Sequence, residues 1–127
     1  RLELESDEVY FPPVIRLMGL QATPDDPTAV AAREAAAAAA ARFEQVLGAQ
    51  QFLAGEFGYV DIAFWLAQLF GERMGARLSA ETPRLHAWRL RVGARPSFRA
   101  VVGAMARFLV SQGRPWPAYL REAGIAD

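Results

Sequence analysis

From Tyr59 to Gly75 the apolar residues fall on nearly every side of a helix. Ile62, Phe64, Trp65, Leu66, Leu69 and Phe70 together cover most of its circumference. A helix that is apolar nearly all round must be enclosed by other elements. This segment therefore belongs at the centre of a domain, and the rest of the chain has to supply its cover. It is not a membrane span. The strongly apolar stretch from Val60 to Phe70 falls short of the roughly 18 residues a span needs, and Asp61 and Gln68 interrupt it.

The flanking segments have helical periodicity too, and none shows the alternation of a strand. The first runs from about Leu2 to Leu20, with Tyr10, Val14 and Met18 on one face and Phe11, Ile15 and Met18 marking another. Pro12 and Pro13 lie inside it. Each lacks a backbone donor and crowds the preceding turn, so the helix should kink or split there. After a loop from Gln21 to Pro27, a second helix extends from about Thr28 to Leu47 and stops at Gly48. The alanines from Ala35 to Ala41 allow neighbours to approach its centre closely, and Phe43 and Leu47 anchor it. A fourth helix begins at Thr82-Pro83, with threonine as N-cap and proline as first helical residue. Its buried stripe is Leu85, Trp88 and Val92, while Arg84, Arg91 and Arg95 line another face. A fifth starts at Pro96 and carries Phe98, Val101, Val102, Met105, Phe108 and Leu109. The tail holds Trp116, Tyr119 and Leu120, with a short last helix from Pro117. The expected fold is all-α, a bundle of about five main helices around the central one, forming a single domain over residues 1–127.

Composition narrows the chemistry. The 127 residues include 25 alanines, 14 arginines, no lysine, no cysteine and one histidine, His86. Disulfides, thiolate metal sites, cysteine nucleophiles and lysine Schiff bases are excluded. One histidine cannot build a multi-histidine zinc site, so no metal is expected. The chain fits a reducing, cytoplasmic setting. Charges cancel overall, yet residues 1–63 carry four arginines and ten acids, and residues 64–127 carry ten arginines and four acids. Zero net charge weakens the electrostatic footprint of nucleic-acid binding, so acidic early helices are expected to pack beside basic later ones or to face the opposite surface of a partner subunit. The acidic start, Glu3, Glu5, Asp7 and Glu8, lacks further metal ligands at defined spacing and reads as a solvated helix end.

The sharpest local signal is the start of the central helix. With Gly58 as N-cap, Asp61 is the third helical residue, and its carboxylate can reach back to the Gly58 amide. That is half of a capping box, since glycine has no hydroxyl for the other half. Phe57 and Ile62 sit at the positions of a hydrophobic staple. Asp61 is read as a structural cap, because a lone carboxylate with no histidine or second acid beside it is a poor catalytic set.

These motifs, in order, resemble the C-terminal helical domain of the glutathione S-transferase superfamily. The resemblance is carried by Phe52-Leu53-Ala54-Gly55-Glu56, by the cap ending in Asp61-Ile62-Ala63, by Pro83-Arg84-Leu85-His86-Ala87-Trp88, and by Arg95-Pro96-Ser97-Phe98-Arg99. It covers roughly residues 28–110 well and the first helix more loosely. Gly58 departs from the serine or threonine usual in that family. The resemblance implies an N-terminal thioredoxin-like domain in cis that binds glutathione and supplies the catalytic residue. On this reading the chain is part of a two-domain, cytoplasmic, detoxifying transferase, commonly a homodimer, with glutathione as co-substrate and no cofactor of its own. The helical half would bind the small hydrophobic electrophile, and no catalytic residue is assigned to it. Its expected substrate-binding residues are Tyr10, Phe11, Val14 and Met18 from the first helix and Trp116 and Tyr119 from the tail. His86 and Arg95 are read as structural, with Arg95 expected to bond the last carbonyls of its helix. The alternative is a non-catalytic interaction module, as similar domains are in translation elongation factor gamma subunits and some aminoacyl-tRNA synthetases.

Overall fold

The central helix, α4 (Tyr59–Met74), is held by a ring of helices in the computed structural model, which describes residues 2–114, 116–122 and 124–125. The others are α1 (Leu2–Glu5), a π-helical turn (Ser6–Tyr10), α2 (Phe11–Arg16), α3 (Pro27–Leu47), α5 (Pro83–Gly93), α6 (Pro96–Ser111) and the short α7 (Tyr119–Glu122). No strand occurs among the described residues; the connection after α3 has only two isolated bridges, Phe52 to Gly55 and Ala54 to Glu56.

The two prolines leave their mark where expected, in a specific form. Pro12 and Pro13 cannot donate to the carbonyls behind them, and their rings push the preceding turn open. The chain answers with the π-helical turn, in which the Phe11 N–H donates to the Ser6 carbonyl, five residues back. A wide turn takes up the strain that a sharp kink would otherwise absorb.

The alanines of α3 work as the periodicity suggests. Ala29, Ala32, Ala36, Ala39 and Ala40 are buried on one face, and α2 lies against it. Phe43 from α3 stacks on Phe64 at the heart of α4, with ring centres 3.9 Å apart. Tyr10 meets Phe64 edge-on at 5.1 Å, and Trp88 closes the cluster at 5.5 Å. Tyr10 reaches this position because residue 71 is glycine. A Cβ there would collide with the Tyr10 hydroxyl and press on Val14.

Asp61 is completely buried and ties three segments together. Its Oδ2 accepts from the Gly58 amide at 2.9 Å, the half of a capping box that glycine permits. Its Oδ1 accepts from the Leu53 amide at 3.0 Å and from the Trp88 indole at 2.9 Å. The cap of α4 is thus also the anchor for the preceding connection and for α5. Phe57 is held edge-on by Phe52 and Phe98.

Two expectations about helix ends change. Thr82 occupies the N-cap of α5, but its hydroxyl donates backward to the Ser79 carbonyl. The open amides of Arg84 and Leu85 are instead accepted by the Glu44 carboxylate of α3, at 3.0 and 2.8 Å. A carboxylate does this better than a hydroxyl, because it carries full charge at the positive end of the helix. Arg95 does not bond the carbonyls of α5; its guanidinium lies 3.6 Å from the centre of the Phe57 ring, a cation–π contact. Of the acidic start, Glu5 forms an ion pair with Arg42 of α3 at 2.6 Å. The hydrogen bond from Arg42 holds the Glu5 carboxyl below the usual range. Asp7 and Glu8 are exposed, and the Glu3 side chain lies outside the described part.

A strip of apolar surface on α4 and α6 stays open. Ile62 and Leu66 of α4 lie near Val101 of α6, and Met105 and Phe108 continue the exposed face of α6. Val101 is 69% and Phe108 63% exposed. A shallow apolar hollow of about 210 Å3 lies between Ile62, Leu66, Phe98, Val101 and Val102. Among the described residues, no helix is long and apolar enough to cross a membrane.

Candidate functional site

A cleft of about 600 Å3 opens between the C-terminal half of α4, the outer face of α5 and the tail leading into α7. Its floor is built from polar residues set into apolar faces. Gln68 and Glu72 stand one turn apart on α4, and Arg89 shares the buried stripe of α5 with Leu85 and Val92. Arg89 is only 6% exposed. Its Nη1 donates to Glu72 Oε2 at 3.0 Å and to Gln68 Oε1 at 3.2 Å. The Gln68 amide donates to the same Glu72 oxygen at 2.8 Å. A buried ion pair gains from further hydrogen bonds to its two partners, and Gln68 bonds both Arg89 Nη1 and Glu72 Oε2.

The walls come from the tail. Tyr119 lays its ring over the Arg89 guanidinium, 3.6 Å from its carbon. Trp116 faces Arg73, whose guanidinium lies 5.8 Å from the indole centre. His86 lies at the rim with both ring nitrogens engaged. Nε2 is 3.0 Å from the Ser79 carbonyl, and Nδ1 is 3.4 Å from Arg89 Nη2. With Nε2 donating to the Ser79 carbonyl and Nδ1 accepting from Arg89, the ring clasps the Ser79 turn to α5. The ring is thereby occupied structurally and not poised as a base.

Several buried polar atoms around this floor have no hydrogen-bond partner among the described residues: Arg89 Nε, the Tyr119 hydroxyl, Trp116 Nε1 and the Tyr10 hydroxyl. Burial pushes the Tyr119 phenol well above its ordinary range, although the Arg89 charge pulls the other way. Burial and the Glu72 charge do the same to Tyr10. Both phenols stay protonated at neutral pH and act there as hydrogen-bonding groups.

The six residues expected to contact substrate occupy different environments. Trp116 and Tyr119 meet in the cleft. Tyr10 and Val14 lie in the core, at 1% and 0% exposure. Tyr10 also borders a smaller hollow of about 230 Å3 with Ala36, Ala40 and Arg77. Phe11 packs on Phe70, with ring centres 5.6 Å apart. Met18 is exposed; its neighbours Leu17 and Leu20 line a second cleft of about 520 Å3. The two clefts share Glu72, Arg73 and Arg77, so the end of the first helical run and the tail face each other across one turn of α4. Gly75 ends that turn in the left-handed conformation, at φ 100°.

Sequence reasoning missed Glu72, Arg89, Arg73 and Arg77. A signal was present for the first two. An arginine on the stripe Leu85–Trp88–Val92 and a Gln-Glu pair one turn apart on a core helix are polar groups at core positions, which must be paired.

The model of the family described as "Glutathione S-transferase, C-terminal domain" matches residues 8–96, from the π-helical turn to the start of α6. No curated protein and no solved structure matches the chain. With well over half of its length in that match and an all-helical bundle around α4, the chain belongs to the glutathione S-transferase C-terminal domain family.

Proposed function

We propose that the chain is the co-substrate-binding helical half of a glutathione transferase-like protein. The observation that carries this reading is the open cleft walled by Trp116 and Tyr119, of a volume suited to a small organic molecule. In the proposed reaction the glutathione sulfur bonds to an electrophilic carbon, and the leaving group departs with its electron pair. The cleft would orient the electrophile and exclude water around it. A thioredoxin-like domain in cis would bring glutathione and the residue that stabilises its thiolate. Glu72, Gln68 and Arg89 serve the cleft by holding its floor and the Tyr119 ring in place. The setting proposed for the whole protein is cytoplasmic, and its assembly a homodimer.

The apolar strip on α4 and α6 supports the partner domain. Val101 and Phe108 are large, exposed and two turns apart on one face of α6, the kind of surface that marks an interaction site. The alternative, a non-catalytic interaction module, draws on the same strip. In a protein joining this chain to a thioredoxin-like glutathione-binding domain, amide exchange over residues 101–108 should slow relative to the isolated chain. Unchanged exchange there would refute docking on this face. Slowed exchange without any binding of electrophile in the cleft would favour the interaction module.

A further inference from the structure

We propose that the cleft over Glu72 and Arg89 binds a small aromatic monoanion, its charged group held by Arg73 and Arg77 and its ring laid against Trp116. The inference uses the cleft that the proposed function offers to the co-substrate, and it names the chemical class that fits there.

Donors outnumber acceptors in this space. Among the described residues, Arg89 Nε, the Tyr119 hydroxyl and Trp116 Nε1 are buried without a hydrogen-bond partner. Buried donors left unpaired destabilise a fold unless water or a ligand meets them. Arginine side chains at the rim add further donors, so an acceptor-bearing ligand suits this space.

Charge selects the group. The cleft holds Arg73, Arg77 and Arg89 against Glu72 and Glu122, so its arginines outnumber its carboxylates by one. Arg89 is already spent on Glu72 and Gln68. The excess therefore resides in Arg73 and Arg77 at the rim, and Arg77 forms no hydrogen bond or ion pair among the described residues. A single carboxylate balances this excess. A phosphate dianion would overshoot it and face two glutamates.

The remaining surface is flat and aromatic. One face of Tyr119 is covered by Arg89. Trp116 is half-buried, with Pro117 and Ala118 beside it. A planar ring can lie there as an offset stack. The volume of about 600 Å3 sits inside the range of roughly 300–1,000 Å3 typical of small-ligand pockets.

The probes are 2-naphthoate, its neutral analogue 2-naphthamide, and inorganic phosphate. Trp65 and Trp88 are fully enclosed, so quenching of tryptophan emission reports Trp116, and Trp116→Phe should abolish the signal. Naphthoate is expected to bind about five- to tenfold tighter than naphthamide, the scale of two rim charges. The variant Arg73→Gln/Arg77→Gln should erase that preference, bringing the ratio of the two affinities to about one. Arg77→Gln alone, whose side chain is exposed, should lose part of it. Equal affinity for acid and amide would overturn the proposal, as would a preference that survives the double variant. Displacement of naphthoate by phosphate at equal concentration would also overturn it. Because the readout is binding, a missing anion preference leaves a transferase of neutral co-substrates standing. Failure of a joined two-domain protein to conjugate glutathione would leave the anion site standing.

Discussion

Replacing Asp61 by alanine tests the most connected residue in the structure. The change removes one carboxylate and strands three donors at once: the Leu53 amide, the Trp88 indole and the Gly58 amide. The first two bonds are fully buried, and each orphaned donor costs about 1–3 kcal/mol. The Gly58 amide is partly exposed and can turn to water, so its loss is that of a helix cap, about 1 kcal/mol. The sum is about 3–7 kcal/mol, and water entering the vacated space brings the expected value to about 3–5 kcal/mol. That is a large share of the roughly 5–15 kcal/mol that holds a domain together. Urea unfolding followed by far-UV circular dichroism reads it directly. With a slope of about 1.5 kcal/mol per molar urea, the midpoint should fall by roughly 2–3 M. Asp61→Asn separates the roles. Its amide oxygen can still serve Leu53 and Trp88, but its NH2 would face the Gly58 N–H, donor to donor. Its loss should therefore be smaller, about 1–2 kcal/mol. A midpoint shift below about 0.5 M for the alanine variant, with the slope unchanged, would refute the reasoning.

Gly71→Ala should destabilise the fold by about 1–3 kcal/mol through overpacking against Tyr10 and Val14, although alanine is the better helix former. Adding Tyr10→Phe should restore part of the loss, and two independent, additive losses would contradict the close contact. Arg89→Ala should cost about 3 kcal/mol or more, because it leaves Glu72 largely buried without its partner; a thermal midpoint within 1–2 °C of the parent would show that the pair is solvated. Tyr10 and Tyr119 have raised phenol pKa values, so their neutral forms are favoured by folding. Their contribution is complete below the unfolded value near pH 10 and fades as pH rises above it. Alkaline titration at 295 nm should leave both un-ionised until the helical signal is lost. Ionisation of all three tyrosines near pH 10 with full helicity would contradict their burial.

Much of the bundle can be read from local patterns because local physics decides it. Gly58 followed three residues later by Asp61 marks the start of α4. Gly48 and Gly75 mark the ends of α3 and α4, and the alanines of α3 announce a close neighbour. What stays hidden is decided by residues far apart in the chain. Glu44 caps α5 across 40 residues, and no spacing rule links them. The same holds for Glu72 with Arg89. A polar residue on a core stripe says that a partner exists without saying which one. The apolar face of α6 is legible as a face, but periodicity is silent on what covers it. In the structure Val102 and Ala106 turn inward, while Val101 and Phe108 are left open. The candidate site is therefore only half legible. Trp116 and Tyr119 reach it, while the charged floor emerges only when α4 and α5 are brought together.

The central claim is that this domain offers a binding cleft and a docking face, while the thiolate chemistry comes from a partner domain. The most direct test is the rate of glutathione conjugation to an aryl halide, measured for the chain alone and for the chain joined to a thioredoxin-like glutathione-binding domain. The account predicts no turnover above background for the chain alone and clear turnover for the joined protein. Turnover by the isolated chain, or none by a folded joined protein, would contradict it.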